Sequence, residues 1–219
     1  MSARTGKEYL EGLKDDREVW LGSEKVDILT HPAFTGSLKG MAGYFDWQHK
    51  FKDECLVKDE QTGKLMSASL ILPKNKDDLT ARGKCFEQLA KYSNGMLGRT
   101  PDYVNVALTG YVSRIDAFIE SGHPQWAKNL QNFHREVIEK DLSLTHTIIQ
   151  PQPDKSIPDL NGINGEGALQ VVERKDDCIV VSWAKILATL GPFADEIFVY
   201  PSAPIVGEGT ANHALMFSI

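Results

Sequence analysis

The sequence predicts an α+β protein, with a mainly helical N-terminal domain, residues 1–141, followed by a β-rich domain, residues 142–219. Three observations predict it. Helix caps followed by apolar residues at helical spacing recur as far as Lys140. Beyond that point the pattern turns to alternating, β-branched stretches punctuated by glycine and proline. A chain of 219 residues, 42% hydrophobic, is long enough to bury a core for one domain or two small ones.

Taken in order, Thr5-Gly6-Lys7-Glu8 has the form of a capping box, with Tyr9, Leu10 and Leu13 as the apolar side of a short opening helix. Val19-Trp20-Leu21 and Lys25-Val26 flank Gly22-Ser23 as a hairpin, and Cys55-Leu56-Val57 with Leu65 to Leu72 form a second, closed around Thr62-Gly63. Asn75 caps a helix whose Asp77 and Asp78 suit the positive end of its dipole, with Leu79, Phe86, Leu89 and Ala90 as the buried stripe. Thr100-Pro101 supplies a cap and an N1 proline for a helix carrying Tyr103, Val106, Tyr111, Ile115 and Phe118. A third long helix follows Pro124, with Trp126, Leu130, Phe133, Val137 and Ile138 at its spacing. Leu142 to Ile149 then alternates as a strand into the Pro151-Gln152-Pro153 turn. Leu169 to Val172, Cys178 to Trp183 and Glu196 to Tyr200 are further strands. The apolar run Ala214 to Ile219 reads as a chain stopping inside a strand.

Composition excludes several classes. With 24 basic against 30 acidic residues and no long single-sign run, neither a nucleic-acid partner nor a polybasic membrane tether is expected. No apolar stretch is long enough to span a bilayer, the N-terminus has no apolar signal core, and a cytoplasmic location follows as the expectation. Cys55, Cys85 and Cys178 match neither a disulfide framework nor a CxxC metal pair, so no metal is expected.

No self-contained catalytic motif is present. One local arrangement stands out: Gly98-Arg99-Thr100-Pro101-Asp102-Tyr103 places an arginine before a helix start and a tyrosine in its first turn, a setting suited to a phenolate or carboxylate. On residue type alone, a solvated arginine and an amphipathic tyrosine account for the same pattern. Among six histidines, His31 precedes a proline, and His49, His123, His134 and His213 lie in exposed-looking polar contexts. His146 differs in lying within an alternating strand, where a half-buried imidazole needs a partner; a satisfied core histidine remains the other reading.

Taken together the segments resemble the 4-hydroxyphenylacetate 3-monooxygenase large-component family, the two-component flavin-dependent phenol hydroxylases. The resemblance runs through Arg4 to Leu10, Thr30-His31-Pro32-Ala33-Phe34, Gly98 to Asn105, Leu144-Thr145-His146 with Pro151-Gln152, and Ala188 to Glu196. It implies an acyl-CoA-dehydrogenase-like fold: the helical domain, then an incomplete β-barrel-like middle domain, with the family's C-terminal helical bundle missing. It also implies ortho-hydroxylation of 4-hydroxyphenylacetate or a related phenol, using O2 and FADH2 from a separate flavin reductase, through a flavin C4a-hydroperoxide, in a full-length homotetramer. Arg99, Tyr103 and His146 match residues around the substrate's phenolic hydroxyl. His146, Thr147, Ile148, Gln152, Pro153, Asp154, Lys155 and Thr189 match the flavin-holding part, and Ser202 and Ala203 a loop at the substrate's carboxylate end.

Two departures stand out. Ala203 lacks the second hydroxyl usual in the hydroxyphenylacetate enzymes, which leaves the substrate's side chain open. Ser182-Trp183 replaces the family's usual arginine-glycine, with no account of the tryptophan from the sequence. The related 4-hydroxybutyryl-CoA dehydratase branch, which binds an iron–sulfur cluster through cysteines, is disfavoured because positions 99 and 103 are Arg99 and Tyr103. Family members are about twice this length by the same resemblance. The isolated chain is therefore expected to bind flavin poorly, and the alternative to an enzyme fragment is a truncated remnant serving as a binding or interaction protein.

Overall fold

The computed structural model describes residues 3–151, 168–186, 188–201 and 211–219. The described chain divides into two compact units: Met1–Leu144 with Pro192–Asp195, and Thr145–Gly191 with Glu196–Ile219.

The first unit is mainly helical. Helix α1 (Gly6–Gly12) starts at the capping box, with the Glu8 amide donating to Thr5 Oγ1 at 3.2 Å and the Thr5 amide donating to Glu8 Oε2 at 2.7 Å. Strands β1 (Val19–Leu21) and β2 (Glu24–Val26) close a hairpin on Gly22-Ser23, where Gly22 takes φ 65°, a left-handed turn conformation that glycine adopts without steric penalty. Helix α2 (Thr35–Lys50) follows a 3-10 turn at Pro32–Phe34. It has no counterpart in the sequence reading: it starts without a side-chain cap, and Gln48 interrupts its otherwise apolar buried face of Leu38, Met41, Tyr44 and Phe45. The short α3 (Lys52–Cys55) leads into the hairpin of β3 (Leu56–Lys58) and β4 (Leu65–Ser67).

Helix α4 (Lys76–Tyr92) is capped by Asn75, whose Oδ1 accepts the Asp78 amide at 2.9 Å. Its buried stripe differs from the expected one, since Cys85 and Leu89 are buried while Leu79 and Phe86 are exposed. The next helix begins later than the cap signal implied and is broken. Helix α5 (Tyr103–Ser113) has Asp102 as its N-cap residue, and α6 (Ile115–Glu120) follows a break at Arg114. Thr100 does not cap α5, which starts at Tyr103; its hydroxyl donates to Asp102 Oδ1 at 2.7 Å. Helix α7 (Pro124–Lys140) has the expected N1 proline and buries Val137 and Ile138, while Trp126 is exposed and stacks on His123. His134, expected in an exposed context, is buried.

Packing pairs α1 with α2, α3 with α4, and both α5 and α6 with α7. Tyr9, Met41, Tyr44, Phe45, Leu70, Leu108 and Val137 are fully buried, each contributing about 1.5–3 kcal/mol by leaving water. Tyr9 stacks on Phe45 with ring centroids 4.9 Å apart and donates its hydroxyl to the Phe193 carbonyl at 2.7 Å. That satisfies the one polar atom of an otherwise buried ring.

The second unit is built from short strands. β5 (Leu144–Thr147), β8 (Glu196–Val199) and β9 (Phe217–Ser218) form a sheet in the order β5-β8-β9. β6 (Gln170–Arg174) and β7 (Ile179–Ser182) form an antiparallel ribbon whose register slips between Val171 and Glu173. Leu169, Val171, Val199 and Leu215 form its core, with Val181 and Phe217 packed against them. The expected barrel-like character is absent among the described residues, where the sheets stay small and open. No helix among them is long and apolar enough to cross a membrane.

Candidate functional site

In the first unit, the turn from Ser93 to Tyr103 is fixed by its own backbone and by the chain that follows α7. The Leu97 amide donates to Ser93 Oγ at 3.0 Å and the Tyr103 amide to the Thr100 carbonyl at 3.2 Å. Pro101 and Asp102 are buried, and the Pro101 carbonyl accepts the Leu144 amide at 3.2 Å. One helical turn on, Asn105 Nδ2 donates to the Leu142 carbonyl at 2.8 Å. The turn is therefore held from both sides while Arg99 stays exposed and Tyr103 half-buried.

The Arg99 guanidinium carbon lies 5.1 Å from the centroid of the Tyr103 ring, a cation–π arrangement that keeps the charge beside the phenol ring. Tyr103, Thr100, Asp102 and Val106 line one side of a cavity of about 330 Å3, with Phe86 and Leu89 of α4 on another. Asp102 is 7% exposed, and its Oδ2 has no hydrogen-bond partner. Below it, burial and then the charge of Asp102 push the fully buried Tyr44 hydroxyl well above its ordinary range, so Tyr44 stays neutral. Asp102 escaped the sequence reading because an acid at a helix start already has a sufficient explanation as a cap.

In the second unit, β5 carries His146 half-buried, its ring edge-on to Tyr200 with centroids 6.1 Å apart. The Thr147 carbonyl accepts the Tyr200 amide at 3.0 Å, and Thr147 Oγ1 donates to the Ile186 carbonyl at 3.1 Å. Lys185 Nζ donates to the Ile148 carbonyl at 2.8 Å. Gln150 is 1% exposed; its Oε1 accepts the Leu169 amide at 3.1 Å while its Nε2 is a buried donor without a partner. It went unremarked in the sequence, although a glutamine between Ile149 and Pro151 was the available signal. Thr189 is exposed in the turn ahead of the 3-10 helix Gly191–Phe193.

The structure thus brings Arg99 and Tyr103 together, and places His146 and Thr147 on one strand with Ile148 just past its end. Gln152, Pro153, Asp154, Lys155, Ser202 and Ala203 lie outside the described residues. The other histidines have local roles. His49 Nε2 lies 2.9 Å from the Arg4 carbonyl, and His213 Nδ1 lies 3.2 Å from the Leu169 carbonyl. Burial, then the charge of Arg135, pushes His134 down to about 4, so it is neutral beside Thr109 Oγ1. No three His, Cys, Asp or Glu side chains converge as metal ligands among the described residues.

The fold is shared with flavin-binding oxygenases. Over 99% of this chain and 44% of the other, the structure matches the oxygenase component of 4-hydroxyphenylacetate 3-monooxygenase complexed with FAD and 4-hydroxyphenylacetate, with a TM-score of 0.87 and 34% identity. An archaeal 4-hydroxybutyryl-CoA dehydratase from N. maritimus, 20% identical with a TM-score of 0.83, covers 99% of this chain and 43% of its own, and shows the shared acyl-CoA-dehydrogenase-like fold alone. The family described as 4-hydroxyphenylacetate 3-hydroxylase N terminal matches residues 5–219, and the chain belongs to it. The 4-hydroxyphenylacetate 3-monooxygenase oxygenase component of Geobacillus sp. (strain PA-9) is 37% identical over 222 residues, covering 100% of this chain and 45% of the relative. The chain therefore spans under half the length of that curated relative.

Proposed function

We propose that this chain is the phenol- and flavin-binding N-terminal part of the oxygenase component of a two-component monooxygenase that hydroxylates a phenol ortho to its hydroxyl. The observation that carries the proposal is the Arg99–Tyr103 pair, held on a pinned turn beside a cavity, in a chain that belongs throughout to a phenol-hydroxylase family. Arg99 stabilises the phenolate, whose ortho carbon is far more nucleophilic than that of the neutral phenol. The Tyr103 hydroxyl orients the phenolic oxygen. His146 accepts its proton at a ring nitrogen or holds the oxygen in place.

The residues of the second unit fit a flavin. Among the described residues β5 stands first in the order of its sheet, and the buried Gln150 Nε2 is a donor with no acceptor among them. His146, Thr147, Ile148 and Thr189, together with Gln152, Pro153, Asp154 and Lys155, are the proposed flavin-holding residues, and Ser202 and Ala203 the loop at the far end of the substrate. Bound as FADH2, which a separate reductase would deliver to a homotetrameric full-length protein, the flavin would activate O2, one atom going to the phenol and the other leaving as water.

The test is product analysis of the protein expressed from its complete reading frame, supplied with a flavin reductase, NADH, FAD and a panel of phenols. Ortho-dihydroxy products are expected, with turnover reduced about 100-fold in Arg99→Ala and His146→Ala. Unchanged turnover in both variants would remove the role assigned to these residues.

A further inference from the structure

Trp183 follows β7 with a backbone φ of 77°. Three described non-glycine residues have positive φ, namely Asn94, Asp141 and Trp183. The first two have short polar side chains that tolerate the left-handed region, whereas an indole there is an outlier. Glycine takes that conformation freely. The side chain is also 58% exposed, so the strained position is not explained by burial within the described residues. Strain of this kind persists where another demand holds it.

The segment after Trp183 shows where that demand arises. Ala184 bridges Ala168, Lys185 Nζ donates to the Ile148 carbonyl at 2.8 Å, and the Ile186 amide donates to the Ile149 carbonyl at 2.9 Å. Lys185 thus touches Ile148, and the Ile186 carbonyl accepts the Thr147 hydroxyl, two residues that the proposed function assigns to flavin. The bridged Ile149 and Ile186 are themselves exposed, by 45% and 46%, so the segment that follows Trp183 presents apolar surface rather than covering it. An indole one step upstream has the shape and polarisability to lie flat against a heteroaromatic ring.

We infer that Trp183 is a flavin-contact residue, its indole packing against a ring of the bound flavin. The inference rests on the assignment of flavin to the 146–148 stretch. Aromatic packing of this type is worth roughly tenfold in affinity.

The experiment is equilibrium binding of FAD, oxidised and, anaerobically, reduced, to the protein from the complete reading frame and to Trp183→Gly and Trp183→Phe. It is paired with thermal unfolding and with the quenching of tryptophan emission. Trp183→Gly is expected to raise Tm, because the left-handed backbone is relieved, while weakening FAD binding about tenfold. Trp183→Phe is expected to stay within about threefold of the parent and to lose part of the FAD-induced quenching. Binding by Trp183→Gly within twofold of the parent overturns the inference and leaves the flavin assignment standing. Absence of FAD binding by the parent overturns both. If Trp183→Gly instead lowers Tm, Trp183→Phe decides: retained affinity supports the contact, and a loss equal to that of glycine overturns it.

Discussion

Asp141 offers a quantitative test of how the first unit is held together. It is 5% exposed, sits in the left-handed conformation at φ 50° as the C-cap of α7, and accepts the Arg4 amide at 2.9 Å. Burial raises its pKa from the ordinary 3.8 to about 6. The charge of Asp102 adds to the rise, and the Arg4 amide, the Arg4 guanidinium and Gln48 offset part of it. A carboxyl whose folded pKa is raised binds more protons folded than unfolded between those two values, so stability is greatest below about pH 4 and falls as pH rises to about 6. The gap from 3.8 to about 6 corresponds to about 3 kcal/mol at about 1.4 kcal/mol per pH unit.

Asp141→Asn mimics the protonated form, keeps an acceptor for the Arg4 amide, and suits the left-handed backbone. Urea unfolding of parent and variant from pH 4 to 7.5 is expected to show nearly equal stability at the acid end and a growing advantage for the variant, of about 3 kcal/mol, above pH 6. Comparing the two proteins removes the contribution of every other titrating group. An advantage that stays constant across the range would falsify the reasoning, since it would show that Asp141 is not the group being titrated.

Other perturbations follow from the same packing. Arg135→Ala leaves the Asp59 carboxylate, 5% exposed and bonded by Arg135 at 2.6 and 3.0 Å, without its cation; a loss of about 2–3 kcal/mol is expected in chemical denaturation, discounted because Arg135 is partly solvated. Arg135 and the Thr62 hydroxyl hold Asp59 well below the usual carboxylate range, so its contribution is present above about pH 4 and fades as pH falls, the opposite sign to Asp141. Gly6→Ala drives a methyl into the Ala42 carbonyl oxygen, a backbone atom that cannot swing aside; a lower Tm, by about 1–3 kcal/mol of stability, is expected, and a neutral result would show that α1 and α2 sit less closely than described. Tyr103→Phe removes one hydroxyl from a half-buried side chain and should slow turnover at least tenfold with Tm within about 2 °C, which stopped-flow and calorimetry on the same sample would separate.

What the sequence made legible was local. The capping box at Thr5, the Asn75 cap and the Pro124 start each involve groups within a few residues of one another, and each marks a real helix boundary. Arg99 and Tyr103 were readable as neighbours for the same reason: four residues across one turn leave little freedom. Helix α2 was not readable, because Phe34 offers no side-chain cap and the sequence signals at its start are those of a His31-Pro32 turn. At Thr100 the Thr-Pro pattern signals a helix start, but Pro101 and Asp102 form a turn and α5 begins at Tyr103. Trp183 was opaque in a different way. Positive φ is inferred from glycine and asparagine, so a tryptophan conceals the left-handed backbone at position 183.

Much of the remaining structure is non-local, and it converges on the four residues that follow α7, 141–144. The Arg4 amide fixes Asp141, and the Arg4 guanidinium holds Asp195 through two bonds, at 3.0 and 2.6 Å. Asp195 in turn takes the Ser143 amide on its carboxylate at 2.6 Å, and its own amide donates to the Ser143 carbonyl at 2.8 Å. Asn105 holds Leu142, and the Pro101 carbonyl holds Leu144. Residues from the first helix, from the turn bearing Arg99 and Tyr103, and from position 195 thus meet on one short segment of main chain. Such a segment has few conformations left to it, and His146 lies two residues beyond its end. The resemblance read in the sequence at Arg4, at Gly98 to Asn105 and at Asp195 therefore has a physical reading apart from catalysis. Arg4, Asp195, Pro101 and Asn105 need touch no ligand to matter, because they fix the main chain of residues 141–144 at the end of the first unit.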